Sequence, residues 1–349
     1  MKLLVLNFER TWRGGERQTL YNMHGFRNAG LHVELLCRKG YLPEQRARED
    51  GFAVHSFDNT GGVTQFLIKH GDNYDVLHAQ TSHILTYCIL TKPFHKVKIV
   101  VTRRVIFAPK GFFSKLKYHY ADKVIAVSNA VKEVIEHNGI SNVAIVSDIA
   151  TQRKIDSQRA KQLLEDMEVG NKRVIGTIAV MSPDKDPLNM VEAIRHLSKR
   201  RNDFVFLHFG FGELEEEVNS RVKEYGLEDV YKTIGYRAHV EDYFSIFDLF
   251  VMGSRYEGLG SSVLDAFMLK VPVVATNAGG MAGLLTEGRG IACDVNDPSQ
   301  LSKVIDNALN RTEEVKDKAL DAASKYVLSH HTIEHITDKY LEIFREITQ

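Results

Sequence analysis

The stretch that decides the fold is LFVMGSRYEGLGSSVLDAFML, residues 249–269. Its first part, LFVMGS, is the short apolar run of a buried strand, and SSVLDAFML has the pattern of a helix start. Between them, RYEGLGSS is a turn with few bulky side chains, and glycine lets a ligand approach the backbone closely. These residues predict a strand that ends in a ligand-binding turn at a helix N-terminus.

The same alternation of strand and helix patterns recurs along the chain. Short runs rich in Val, Ile and Leu alternate with helix-length segments, which indicates parallel sheets with helices on both faces. The polar segment Thr151 to Arg173 interrupts the pattern and is interpreted as a connection. The predicted strands are KLLVLNF, HVELLCR, FAVHSF, DVLHAQ, KIVVTR, KVIAVS and VAIVS before this segment, and VIGTIAV, FVFLHFG, VYKTIG, LFVMGS, PVVATNAGG and RGIACDV after it.

Two α/β domains follow from this organisation. The chain has 349 residues, and domains average roughly 100–200 residues. We expect two Rossmann-like, doubly wound domains facing a central cleft, at residues 1–165 and 166–329, with a terminal helix at 330–349 that packs back on the first. Ligands of open α/β sheets bind at the carboxyl ends of the strands, where the quoted turn is predicted to lie.

The charge distribution restricts the class of partner. The formal net charge is zero, which gives no general attraction to nucleic acid. Residues 1–165 hold 24 Lys and Arg against 15 Asp and Glu (net +9), and residues 166–349 hold 21 against 30 (net −9). The basic half fits an anionic partner such as phosphates or a membrane surface, although a chance partition between two domains gives the same asymmetry.

Cysteine usage and the apolar runs point to a cytoplasmic protein. Cys37, Cys88 and Cys293 are far apart and have no metal-ligand spacing, so we expect reduced thiols and no metal site. The N-terminal apolar run is too short for a signal peptide, and no run approaches the roughly 18 residues of a membrane span.

The turn between the strand and the helix combines amides with carboxylates. Amides at a helix N-terminus attract phosphate, and Ser261 or Ser262 can cap the helix while leaving amides free. Glu257 precedes the helix, and Asp265 lies one turn inside it with its side chain tilted back. Carboxylates beside a phosphate site need other partners, and sugar hydroxyls suit them, so the stretch fits a nucleotide sugar. The alternative is a capped helix with two solvated acids.

At these residues the sequence resembles the family 4 retaining glycosyltransferases of GT-B fold. EGLGSSVLDA resembles the family's E-x7-E signature with Asp265 in place of the second acid, and PVVATNAGG matches the stretch that follows. RGGERQTL resembles the first-loop glycine pair, ADKVIAVSNAVKEVI the pattern around Ser128, HFGFGELEEEV the G-x-G turn and SPDKDP the lysine turn. The resemblance covers most of the chain and is strongest from Gly210 to Gly290.

The resemblance implies transfer of a sugar from a nucleotide diphosphate sugar to a hydroxyl, with retained configuration and without a metal or other cofactor. It places the acceptor in the first domain and the donor in the second. It implies catalytic roles for Lys185 at the diphosphate, Glu257 at the donor sugar and His78 beside the reaction centre; a solvated lysine and a core histidine are the ordinary alternatives. The residues that we expect to bind the donor are Gly14, Gly15, Gly210, Gly212, Tyr236, Arg237, Gly258, Leu259, Gly260, Ser261, Ser262 and Asp265.

The class of acceptor is implied by the same resemblance together with the basic first half of the chain. Both favour a lipid-linked or cell-envelope glycan, as in polysaccharide or lipopolysaccharide synthesis. KGFFSKLKYHYADK, Lys110 to Lys123, mixes basic and aromatic residues, which fits peripheral contact with an anionic membrane at its inner face. An amphipathic helix packed on the sheet is the alternative.

Several positions depart from the family pattern. Val180 stands where an arginine is usual, Gln80 where a second histidine is expected, and no glutamate follows Gly280 closely. Two alternative functions therefore stay open. One is a nucleotide-sugar 2-epimerase of the same fold, and the other is a non-catalytic subunit that binds a sugar nucleotide.

Overall fold

The alternation of strands and helices is confirmed by a computed structural model, which describes residues 1–349. Thirteen strands and fourteen α-helices follow one another along the chain. They form two units, one of Met1–Ile149 with His330–Gln349 and one of Ala150–Ser329. Every strand pair in both units is parallel, as predicted for doubly wound domains.

Unit 1 contains a seven-stranded sheet. Its elements up to Ile149 are β1 Lys2–Asn7, α1 Gly14–Asn28, β2 His32–Arg38, α2 Leu42–Glu49, β3 Ala53–Phe57, α3 Thr60–His70, β4 Val76–Ala79, α4 Ser82–Thr91, β5 Lys98–Arg103, α5 Phe112–His119, β6 Lys123–Ala126, α6 Asn129–His137 and β7 Val143–Ile145. The strand order is β3-β2-β1-β4-β5-β6-β7. The order reverses between β1 and β4, so the loops after these two strands diverge and leave room for a ligand.

Unit 2 contains a six-stranded sheet. Its elements are α7 Ser157–Asp166, β8 Arg173–Ile178, α8 Pro187–Ser198, β9 Phe204–Phe209, α9 Glu215–Glu224, β10 Tyr231–Gly235, β11 Leu249–Met252, α10 Ser261–Met268, β12 Val273–Thr276, α11 Met281–Leu284, β13 Ile291–Cys293, α12 Pro298–Leu309 and α13 Glu313–His330. The order is β10-β9-β8-β11-β12-β13, and it reverses between β8 and β11. The loops after β8 and β11 carry Lys185 and Glu257.

The division between the units differs from the predicted one. The structure divides the chain between Ile149 and Ala150, whereas the sequence suggested residues 165 and 166. Contacts of α7 explain the difference, because the Asp242 carboxylate accepts a hydrogen bond from the Asp156 amide at 3.0 Å and pairs with the Arg159 guanidinium. These bonds attach α7 to unit 2.

The C-terminal helix, α14 Ile333–Thr348, belongs to unit 1. It starts later than the predicted residue 330 because Thr332 is its N-cap, with Oγ1 accepting from the His335 amide at 3.2 Å. The rings of Tyr340 and Phe344 each lie 5.4 Å, centroid to centroid, from the ring of Phe26 on α1. Aromatic packing therefore holds the last helix against the first one.

Candidate functional site

The turn after β11 depends on a glycine in a left-handed conformation. Gly260 has a φ of 97° and is the N-cap residue of α10. A Cβ at this position would lie 2.8 Å from Cγ of Met281, which is closer than real Cβ contacts allow. Both the backbone conformation and the packing therefore require glycine.

The amides at the start of α10 have no partner within the protein. The expectation that Ser261 or Ser262 caps the helix is wrong, because the helix already begins at Ser261 and the Ser262 hydroxyl donates to the Ile178 carbonyl at 3.3 Å. The first helical bond runs from the Val263 amide to the Gly260 carbonyl, and no acceptor takes the amides of Ser261 and Ser262. Their N–H groups at the positive end of the helix dipole are free to bind an anion.

Lys185 and Glu257 are in direct contact. The Lys185 ammonium forms an ion pair with the Glu257 carboxylate, and their side chains are only 18% and 12% exposed. The Ser254 hydroxyl lies 3.4 Å from the same carboxylate, and the Ser254 carbonyl accepts from Thr276 at 2.6 Å. The structure thus brings together two residues for which the sequence predicted catalytic roles.

Polar bonds that the sequence analysis missed connect the loops after β8 and β11. The Asp184 carbonyl accepts from the amides of Arg255 and Tyr256, at 2.9 and 3.1 Å. The Arg255 guanidinium donates to the Asp186 carboxylate at 2.9 and 3.3 Å. These bonds lie on both sides of Lys185 and set its position. Asp184 and Asp186, the two acids that flank Lys185 in SPDKDP, are the sequence signal from which these bonds could have been expected.

Gly280, the second glycine of the pair after β12, packs against the turn that follows β11. A Cβ at Gly280 would lie 2.3 Å from the Gly258 carbonyl oxygen, and the Gly280 amide donates to the Glu257 carbonyl at 3.1 Å. Leu259 on the turn and Asp265 on α10 are both buried. The stretch PVVATNAGG therefore has a structural role in fixing the turn.

The two glycines of the G-x-G turn are required by chain packing. A Cβ at Gly210 would lie 2.0 Å from the Ala179 carbonyl oxygen, and one at Gly212 would lie 2.4 Å from that of Met181. The segments that follow β8 and β9 therefore touch backbone to backbone. This contact accounts for both glycines without a ligand, so their predicted donor role stays a prediction.

An exposed aromatic pair lies beside the G-x-G turn. Phe211 and Tyr236 are each about half exposed, and their rings meet edge to face with centroids 6.4 Å apart. The exposed Arg237 guanidinium donates to the Tyr236 carbonyl at 3.3 Å. The sequence analysis named Tyr236 and Arg237 but missed Phe211, although its place between two glycines was visible in the motif.

Gly14 and Gly15 form the first turn of α1 in unit 1. The Arg13 amide donates to the Glu16 carboxylate at 2.8 Å, which fixes the start of the helix. No acceptor within the protein takes the amides of Gly14 and Gly15. The nearest neighbour of a Cβ at Gly15 would be the Arg104 side chain, at 3.9 Å. This helix start also presents free N–H groups, and the donor-binding role of Gly14 and Gly15 stays a prediction.

The predicted catalytic role of His78 is wrong. Its ring has no exposed surface, Nε2 lies 2.8 Å from Thr102 Oγ1, and the Gln80 amide nitrogen lies 3.2 Å from Nδ1. The ring of Tyr340 on α14 packs against it at 5.2 Å. Burial, with the Arg104 charge, lowers the pKa of His78 to about 3. A neutral ring enclosed in the core cannot touch a substrate, so the core alternative holds.

The segment Lys110 to Lys123 contains α5 and two exposed rings. Phe112 and Phe113 at the start of this helix are 72% and 82% exposed. The Lys117 ammonium instead points inward and donates to the Ser82 carbonyl at 2.5 Å and the Thr86 hydroxyl at 3.1 Å. None of the helices in the structure is both long and apolar enough to cross a bilayer.

Both units match models of known families. Residues 159–325 match the model described as glycosyl transferases group 1, and residues 12–147 match the one described as glycosyltransferase family 4. The two matches together support a GT-B glycosyltransferase family for this chain.

Two curated relatives illustrate the similarity. The chain is 22% identical to 2-deoxystreptamine N-acetyl-D-glucosaminyltransferase of Niallia circulans over 71% of this chain and 70% of the relative. It is 27% identical to the lipopolysaccharide core biosynthesis mannosyltransferase LpsB of Rhizobium meliloti (strain 1021), over 61% of this chain and 62% of the relative. These relatives support glycosyltransferase activity and give the epimerase alternative no support.

The structure of HepE from Anabaena in complex with UDP-glucose has the same fold. It superposes with a TM-score of 0.87 at 18% identity, over 99% of this chain and 100% of that one. At this sequence identity, the similarity shows that the two proteins share a fold and nothing more. The two Rossmann-like units with their parallel sheets are thus those of the GT-B fold.

The buried His78 makes stability sensitive to acid. The unfolded residue takes up a proton near pH 6.5, whereas the folded ring stays neutral until about pH 3, so stability is lost as the pH falls between these values. At pH 5 the loss is about 2 kcal/mol. We expect His78→Asn to reduce, by about that amount, the difference in unfolding free energy between pH 7 and pH 5.

Urea denaturation at the two pH values measures this difference. His83→Asn is the matched control, because it makes the same substitution at a histidine that is exposed at the start of α4 rather than enclosed in the core. Equal pH dependence in wild type and His78→Asn would contradict the neutral, buried state.

Proposed function

We propose that the protein is a retaining, metal-independent hexosyl- or related glycosyltransferase that moves a sugar from a nucleotide diphosphate sugar to a hydroxyl of a glycan or lipid-linked acceptor. The observation that carries the proposal is the contact between Lys185 and Glu257 beside the free amides of Ser261 and Ser262. The similarity to LpsB supports an acceptor from lipopolysaccharide or polysaccharide synthesis.

A donor diphosphate at the start of α10 explains the free amides. Its oxygens accept hydrogen bonds from the Ser261 and Ser262 N–H groups and attract the Lys185 ammonium away from Glu257. Lys185 and the helix dipole then stabilise the charge that develops as the nucleotide departs. These groups supply the charge stabilisation without a divalent ion.

Glu257 and Asp265 are assigned to hydroxyl groups on opposite sides of that diphosphate. Once Lys185 moves to the diphosphate, the Glu257 carboxylate is free to accept from hydroxyls of the donor sugar. Asp265, one turn into α10, is assigned to the ribose. Uracil is the proposed base, because a structural neighbour is a complex with UDP-glucose, and the exposed rings of Phe211 and Tyr236 offer a stacking surface.

Retention follows from attack on the face from which the nucleotide leaves. The acceptor hydroxyl forms the new glycosidic bond while the bond to the departing phosphate oxygen breaks, and the hydroxyl proton passes to that oxygen. His78 takes no part in this step because it is enclosed. The alternative is a non-catalytic subunit that binds the sugar nucleotide, which the departures at Val180 and after Gly280 favour; turnover of the donor distinguishes the two.

Lys185→Ala is expected to weaken catalysis strongly, because one charge on the developing anion is lost. We expect kcat/KM for UDP release from a UDP-sugar to fall by about 10²–10³-fold. Lys172→Ala, which removes an exposed charge of the same unit, is the control and keeps wild-type kinetics. Wild-type activity in Lys185→Ala would disprove the assignment.

Glu257→Gln is expected to separate diphosphate binding from sugar transfer. The neutral side chain competes less for Lys185 and no longer repels the diphosphate, so the Kd for UDP falls several-fold, roughly fivefold, while transfer decreases. Calorimetry with UDP measures the first change, with the exposed Glu228→Gln as control. Weaker UDP binding in Glu257→Gln would contradict the proposal that the Lys185 ammonium leaves Glu257 for the diphosphate.

Contact with the inner face of an anionic membrane is proposed for the segment Lys110 to Lys123. The exposed rings of Phe112 and Phe113 enter the interface while Lys110 and Lys115 meet the lipid charges. In vesicle flotation, binding is expected with anionic vesicles and to be lost in F112S/F113S. Binding that survives this double substitution would place the contact elsewhere.

A further inference from the structure

An open cavity of about 440 Å³ lies at the carboxyl edge of the sheet in unit 1. Its walls come from the loop after β1, the end of β2 and the start of α4, the helix that follows β4. These three strands are neighbours in the sheet, so their ends converge. The lining residues are Phe8, Glu9, Arg10, Thr11, Arg13, Arg38 and His83.

The cavity is basic. It holds three arginines against one glutamate, Glu9, so these four side chains carry a net charge of +2. Arg10 and Arg13 are exposed and form no ion pair with any carboxylate of the protein. Two guanidinium groups without a counterion on one wall repel each other, so an anion in the cavity would relieve this repulsion.

Arg38 is held in place at the end of β2. Its guanidinium lies over the ring of Phe8 at 4.6 Å, and one of its terminal nitrogens reaches the Asp58 carbonyl at 3.5 Å. This stacking and this bond hold the guanidinium at the cavity wall, where its remaining terminal N–H groups can donate to an anionic ligand.

We propose that this cavity binds an anionic group of the acceptor, either a phosphate or a sugar carboxylate. The planar, forked donors of arginine match the oxygens of both groups. Glu9 accepts from neighbouring sugar hydroxyls and disfavours a second anion. The inference rests on the proposed function, since it names the acceptor class of the same enzyme. The preferred acceptor is therefore an acidic or phosphorylated carbohydrate rather than a neutral one.

Calorimetry on the full chain tests the proposal with three probes. Glucose 1-phosphate carries a phosphate, methyl glucuronide carries a carboxylate, and methyl glucoside is neutral. Each is titrated in the presence of saturating UDP, which keeps the probe out of the donor site. We expect at least one anionic probe to bind about tenfold or more tightly than the neutral sugar, and which one binds identifies the source of the charge.

Arg10→Ala/Arg13→Ala is the test variant, because both side chains are exposed and their loss leaves the core intact. It is expected to lose about tenfold or more in affinity for the anionic probe. Lys39→Ala/Lys69→Ala removes two exposed cations of the same unit outside the cavity and is expected to bind as the wild type does.

The UDP titration separates the two proposals. An anionic probe that binds no more tightly than methyl glucoside, or that binds the arginine variant with unchanged affinity, overturns the anionic acceptor. If UDP binds in those cases, the donor function still stands. Failure of UDP to bind the wild type counts against the proposed function. The three probes, titrated without UDP, then still show whether the cavity binds an anionic group.

Discussion

The candidate site depends on the bonds that connect the loop after β8 to the loop after β11. Asp184 accepts two amides of the second loop, and Asp186 binds the Arg255 guanidinium. The pairing of β8 with β11 brings the two loops together, and these bonds fix the Lys185 ammonium beside the Glu257 carboxylate, 72 residues further along the chain. The reversal of strand order between β8 and β11 supplies the space for a ligand, and the bonds between the loops supply the geometry around it.

Most of the fold could be predicted because parallel strands covered on both faces appear in the sequence as continuous apolar runs. Leu3, Leu4, Val5 and Leu6 of β1, for instance, have no exposed surface, so both sides of the strand must be apolar. All thirteen predicted strands are present. The division at Ile149 was not predictable, since the contacts of Asp156 and Arg159 with Asp242 join residues far apart in sequence and leave no local pattern.

The difference between local sequence patterns and contacts of distant residues also explains which parts of the site could be predicted. Lys185, Glu257 and the glycine turn could be predicted because they lie in short motifs, each following an apolar run. The burial of His78 could not, because the ring of Tyr340 that covers it comes from the last helix of the chain. The cap at Gly260 was missed because serine is the commoner cap, and only the packing of Met281 shows why glycine stands there.

Hydrogen exchange at the start of α10 tests the central claim most directly, because the amides of Ser261 and Ser262 lack an acceptor in the unliganded protein. If these amides bind the diphosphate, saturating UDP slows their exchange, and uridine, which has no phosphate, leaves it fast. Bound UDP that leaves exchange at both serines unchanged would contradict the account.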